Sequence, residues 1–178
     1  MLIARLDSTP LGVFDGVFTG IRSRQGHGTN LYHVRNVSAK KTRDIRITFD
    51  AEKPTGIDVS PPFTSKKYVP PGLVQPVTTD MIDAFGKVAR HTDCLERLRI
   101  FDGRRVILLE NTDSELLGET RTCMMSYSVI DGPGHVPPFN FRNMKVKLVY
   151  ARQAPTGDQL RSISIRVGLY TLQLQRIR

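Results

Sequence analysis

The stretch of this sequence with the most chemical reach is Ile100-Phe-Asp-Gly-Arg-Arg105. Two adjacent guanidiniums, Arg104 and Arg105, directly after Asp102-Gly103 could hold a phosphate or carboxylate, one of them through a bidentate pair of N–H bonds. The same stretch also reads as the tip of a hairpin and nothing more. A second loop, running from Tyr127 to Gly132-Pro-Gly-His135, has a similar character, so Asp102, Gly103 and His135 stand together as a candidate loop site. His27 and His135 fall in Gly-rich turns and read as loop residues rather than bases; His33 and His91 are scattered. Asp80 and Asp83 read as caps for the positive end of a helix, and Asp113 with Glu115 as part of a polar turn. Neither pair sits in an apolar setting that would split its pKa values. The GxSxG, HExxH, P-loop and GxGxxG patterns are missing, so no catalytic residue, metal or cofactor is assigned.

Cys94 and Cys123 lie 29 residues apart, with no CxxC and no histidine at zinc-ligand spacing. Two readings stay open. One is a disulfide, which would add roughly 3.5 kcal/mol in the loop-entropy model; the other is a pair of separate buried thiols in a cytosolic protein.

The elements that must position these groups are mostly strands. Ile45, Ile47 and Phe49 share a parity within Arg43–Asp50, which predicts a strand with one core face, and Leu31–Ser38 is its antiparallel predecessor across a short polar connection. Thr55–Ser60 is a shorter strand ending at Pro61-Pro62. From Pro61 to Pro76 five prolines hold an extended connector, and Phe63, Tyr68, Val69, Leu73 and Val74 give it apolar groups to lay on a sheet. An amphipathic helix follows over about 77–90, capped by Thr78, Thr79 or Asp80, with Met81, Ile82, Phe85 and Val88 expected to be buried. Leu95–Phe101 and Arg104–Glu110 are expected to form a hairpin across a two-residue Asp102-Gly103 turn, and Asp15-Gly16 to make another turn. Arg121–Asp131 is a long strand, Met144–Tyr150 and Ile163–Val167 alternate, and a change of parity past Gly168 marks a tight connection or bulge. The fold class is mainly β, a curved antiparallel sheet or incomplete β-barrel with one α-helix packed on it.

The 178 residues fit a single domain, 1–178, and a chain of this length buries enough apolar surface to fold without a metal. Its longest apolar runs fall far below the ~20 residues of a membrane helix. Met1–Asp7 does not read as a signal peptide, because Arg5 and Asp7 interrupt a short apolar stretch. The net charge of +9 invites a nucleic-acid reading, but the excess is spread, +4 over residues 1–50, +1 over 51–110 and +4 over 111–178. Many bases alternate with apolar residues, as along Arg43, Ile45, Arg46, Ile47 and along Lys145, Val146, Lys147, Leu148, which is how the wet face of a half-buried strand looks. Nucleic acid is therefore not the expected partner.

The order Pro70-Pro-Gly-Leu-Val-Gln-Pro76, a helix, Asp93-Cys94, Arg99-Ile-Phe-Asp-Gly-Arg-Arg105, Thr122-Cys123 and the strand end from Tyr127 to Gly132 resembles a family of exported proteins of Gram-negative bacteria, chiefly alphaproteobacteria, known as a domain of unknown function. That family is similar in a proline-led helix, a cysteine shortly before a VFDGRRR-like run and a second cysteine further on. This sequence departs from it at Gln75, where an acidic residue is commoner, and at Val106, where the family has a third arginine. The resemblance implies a Cys94–Cys123 disulfide, an oxidising and so periplasmic location, with the cytoplasm as the alternative, and a chain lacking the family's signal peptide and first hairpin. It implies no activity. By analogy of fold with the half-barrels of periplasmic lipoprotein carriers, the leading expectation is a non-enzymatic envelope protein holding a lipid-like or extended ligand, or an envelope protein partner, on its apolar face. A nucleic-acid or anion-binding module is the alternative, and a hydrolase working around His135 or Asp102 ranks below it.

Overall fold

Strand alternation decides the first half of the chain. Within β4 (Thr42–Asp50) Ile47 and Phe49 are buried while Arg46 and Asp50 face solvent. On its neighbour β3 (Thr29–Val37) Tyr32 and Val34 fill the same face. These two strands are the centre of a five-stranded antiparallel sheet completed by β1 (Leu2–Leu6), β2 (Gly16–Arg24) and β5 (Lys53–Ser60), in chain order. The structure, a computed structural model, describes residues 2–6, 16–26, 28–37, 42–63, 68–91, 93–135, 141–153 and 157–175. Asp15 of the expected Asp15-Gly16 turn, and His27, lie outside them.

A second antiparallel sheet has six strands, β6 (Arg97–Phe101), β7 (Val106–Leu117), β8 (Thr120–Asp131), β9 (Asn143–Gln153), β10 (Gly157–Val167) and β11 (Tyr170–Gln175), again in chain order. The expected antiparallel fold with one helix is what forms. The structure adds that its strands divide between two sheets and that neither closes into a barrel. At Gly168 the chain turns in two residues, Val167 pairing with Tyr170, which explains the change of parity there. Asp113 and Glu115 are not in a turn. They lie in the exposed outer part of the β7–β8 ribbon, because β7 continues past Glu110 to Leu117.

The helix α1 (Met81–Arg90) starts four residues later than its periodicity suggests, because Asp80 is its cap: the Asp80 carboxylate accepts from the Ile82 and Asp83 backbone N–H groups. Ala84 and Val88 form the buried stripe, and burying Val88 is worth about 1.5–3 kcal/mol. Tyr150 on β9 donates its hydroxyl to the Val88 carbonyl, which fixes the helix on the sheet. Phe85 is not buried as expected. The small Ala84 and Val88 let the helix lie close to the sheet, and Phe85, one position round the helix, stays 38% exposed. It overhangs an apolar cleft of about 410 Å³ shared with Ala89, Leu160, Ile163 and Leu174.

Two apolar clusters result. One joins Ala84 and Val88 to the inner faces of β6–β10, with Ile107, Met125, Leu148 and Tyr150 at its centre. The other lies between the sheets, where Tyr32, Val34, Ile47 and Phe49 meet Phe101 and Val106. Val69 and Val74 of the proline-rich connector close this second cluster, so the connector does lie on the sheet. Arg22 on β2 clasps the sheets further by pairing with Asp80 and Asp83 at the head of α1. Burial pushes the Asp80 carboxyl up, against its backbone hydrogen bonds and the pull of Arg22.

The Cys94–Cys123 disulfide forms, with the two Cα atoms 5.6 Å apart, inside the 4.4–6.8 Å range an unstrained bond requires. Strands β6, β7 and β8 are consecutive in the sheet, so Cys123 on β8 is separated from β6 by β7, and the segment before β6 bends across to reach it. Cys123 is wholly buried in the helix-covered cluster.

Candidate functional site: a cationic cleft between the sheets

The link from β6 to β7 is where sequence and structure converge. Phe101 pairs with Val106, so the connection is the four residues Asp102-Gly103-Arg104-Arg105 and not the expected two-residue turn. The reason is local: one Asp102 carboxylate oxygen accepts from the backbone N–H groups of both Arg104 and Arg105, at 2.8 Å each. Gly103 alone in this turn has a left-handed φ, +90°. A Cβ there would come within 2.8 Å of Ile45 on the facing sheet, so glycine is required for conformation and for closeness alike.

This turn presses Arg104 and Arg105 into a cleft of about 440 Å³ between the two sheets. One wall is apolar, made by Phe18, Tyr32, Val34 and Ile45 of the first sheet with Met81 and Ile107. The same lining carries Asn36, Arg43, Asp102, Arg104, Arg105, Tyr127 and His135, with Arg43 two residues from Ile45 on β4. Four of the five residues of the two candidate groupings, Asp102, Arg104, Arg105 and His135, thus line one cavity, and Gly103 shapes it. Cys94 and Cys123 do not; they belong to the other cluster.

Arg105 is 8% exposed, and its Nε and Nη1 are buried without a hydrogen bond. Its Nε lies 3.0 Å from Asp102 Oδ2, so the pair is close in charge but poorly directed. The Nε atoms of Arg43 and Arg104 are likewise buried and unbonded. Both guanidiniums stack on Phe63, with Arg43 4.7 Å and Arg104 5.5 Å from the ring centroid. Burial, then Arg105 and Arg43, push the Arg104 guanidinium below its ordinary pKa against the pull of Asp102, and burial alone does the same to Arg43.

Across the cleft the Tyr127 hydroxyl lies 2.6 Å from His135 Nε2. Burial, helped by Arg105 and Arg104, lowers the His135 pKa to about 4, and burial, with Asp102, raises that of Tyr127. Both are neutral at pH 7. The two share one hydrogen bond, donated by the hydroxyl to Nε2 in one histidine tautomer and by Nε2–H to the hydroxyl oxygen in the other. Gly132 and Arg142 place this group. Gly132 has φ +81°, and a Cβ there would lie 2.7 Å from the Arg104 carbonyl. Arg142 donates to the carbonyls of Val129 and Gly132 at 2.7 and 2.8 Å.

Sequence reasoning passed over Arg43 as part of a wet strand face. Its parity is that of Ile45, Ile47 and Phe49, and that inward register was the signal. Phe63 was read only as an apolar group of the connector. Among the described residues no helix is long and apolar enough to cross a membrane, and no three metal-ligating side chains cluster. The fold and cleft define a two-sheet β protein with a mixed cavity whose lining combines apolar and cationic side chains. Compared with protein-family models, curated proteins and solved structures, the chain matches none.

Proposed function

We propose that this protein is a non-enzymatic binding protein whose intersheet cleft holds a small organic anion with an apolar body. The observation that carries this reading is the lining of the cleft, where the guanidinium residues Arg43, Arg104 and Arg105 stand together with the apolar side chains of Phe18, Val34, Ile45 and Ile107. Three guanidiniums with a single carboxylate among the described lining residues favour an anion as the occupant, and the apolar side chains favour one with an apolar body. The lipid-like ligand expected from the fold analogy and the anion site expected at Arg104 and Arg105 then become two ends of one molecule. Among the described residues the lining holds no serine, threonine, cysteine or lysine, its one carboxylate, Asp102, is taken up by two backbone N–H groups and Arg105, and burial makes His135 a weak base at neutral pH. The disulfide supports a place in the oxidising cell envelope, in line with the family resemblance.

Anilinonaphthalenesulfonate, an anion on an apolar body, is a suitable fluorescent probe. It should bind saturably at one site per chain, be displaced by alkyl carboxylates, and lose at least tenfold in affinity in Arg105→Met. Absence of saturable binding, or binding unchanged in Arg105→Met but abolished by Ile163→Glu in the cleft beside α1, would overturn the assignment.

A further inference from the structure

Resting on that reading, we infer that the cleft selects a doubly charged anion, a phosphate monoester, over singly charged sulfonates, carboxylates and phosphodiesters. The argument is one of charge count in an enclosed space. Among the described residues three guanidiniums, Arg43, Arg104 and Arg105, line the cleft with one carboxylate, Asp102. Asp102 already accepts two backbone N–H groups and lies beside Arg105, which leaves two positive charges uncompensated. The Tyr127–His135 pair is neutral and adds no charge. Tyr32, on the apolar wall, is likewise held neutral, chiefly by its burial. A monoanion would leave one cation unpaired beside an apolar wall, where charge is poorly screened; a dianion neutralises the site. The donor geometry agrees. Phe63 lies against both Arg43 and Arg104, 4.7 and 5.5 Å from their guanidinium carbons, which holds the two side by side, and paired guanidiniums suit the several oxygens of a phosphate.

Calorimetry with phenyl phosphate and its singly charged analogue phenyl sulfate tests this in the intact protein. Phenyl phosphate should bind at least tenfold more tightly at pH 8. Its affinity should fall about tenfold between pH 7 and pH 5, as the second phosphate ionisation near pH 6 is lost. Phenyl sulfate should stay level over that range, because the histidine facing the cleft titrates only near pH 4. Arg43→Met should weaken phenyl phosphate by at least about threefold more than it weakens phenyl sulfate, shrinking the preference for phosphate. Dodecyl phosphate and glycerol phosphate separate a lipid source from a polar metabolite, the apolar wall favouring the former. Equal binding of phosphate and sulfate would overturn the inference and leave the anion-binding reading intact. Failure of both to bind would overturn the two together.

Discussion

Replacing Arg105 by Met separates a ligand-binding arginine from a structural one. Were the Arg105–Asp102 pair a buried structural bridge, removing one partner would cost about 3–5 kcal/mol, because the other charge would be left uncompensated. Here the Asp102 carboxylate keeps two backbone N–H donors at 2.8 Å and a side chain 21% exposed. Losing the ion pair therefore costs about 1 kcal/mol at most. Against that, Met removes two buried nitrogens that make no hydrogen bond, worth about 1–3 kcal/mol when relieved, and its thioether fills much of the same volume. The expected net change runs from about zero to a gain of about 2 kcal/mol. In urea denaturation with a slope of about 2 kcal/mol/M the midpoint should stay level or rise by up to about 1 M, while anion affinity falls at least tenfold. A midpoint lowered by about 1.5 M or more would show that Arg105 holds the fold together, and would refute the argument from its unbonded nitrogens.

Three further outcomes follow from the same structure. Reducing the Cys94–Cys123 bond, which closes a loop of 29 residues, should lower stability by about 3.5 kcal/mol, and non-reducing peptide mapping should recover the linked pair; free thiols in protein made in an oxidising compartment would contradict it. His135 binds its proton at about pH 4 when folded and about 6.5 when unfolded, so the unfolded chain takes up more protons between those values. Its contribution is complete above about pH 6.5 and should be lost as pH falls toward 4, by roughly 2–3 kcal/mol, and His135→Gln should flatten that part of the stability profile relative to the parent protein. Phe85→Ala should cost less than about 2 kcal/mol, since the ring is already 38% exposed; a loss of 3 kcal/mol or more in thermal or chemical unfolding would show it to be a core residue.

The alternation of apolar residues determined most of the strands, because a strand with one buried face must place its apolar side chains at every second position. Asp80 with the stripe behind it determined the helix in the same local way, and the proline-rich connector was legible from its fixed φ angles and its valines. Asp102, Arg104 and Arg105 stood out because a turn flanked by two guanidiniums is a local pattern. What local pattern cannot carry is the pairing of distant segments. That the strands divide into two sheets, and that the β6–β7 turn packs against Ile45, depends on contacts between residues more than fifty positions apart. The same long-range packing brought His135 and Arg43 to the arginines, and left Phe85 on the helix rim beside a stripe of identical periodicity. Whether an arginine at an inward position is a wet edge or the floor of a cavity is decided by what packs across from it. For Arg43 that is Phe63 and the turn of the opposite sheet, which only the tertiary structure brings there.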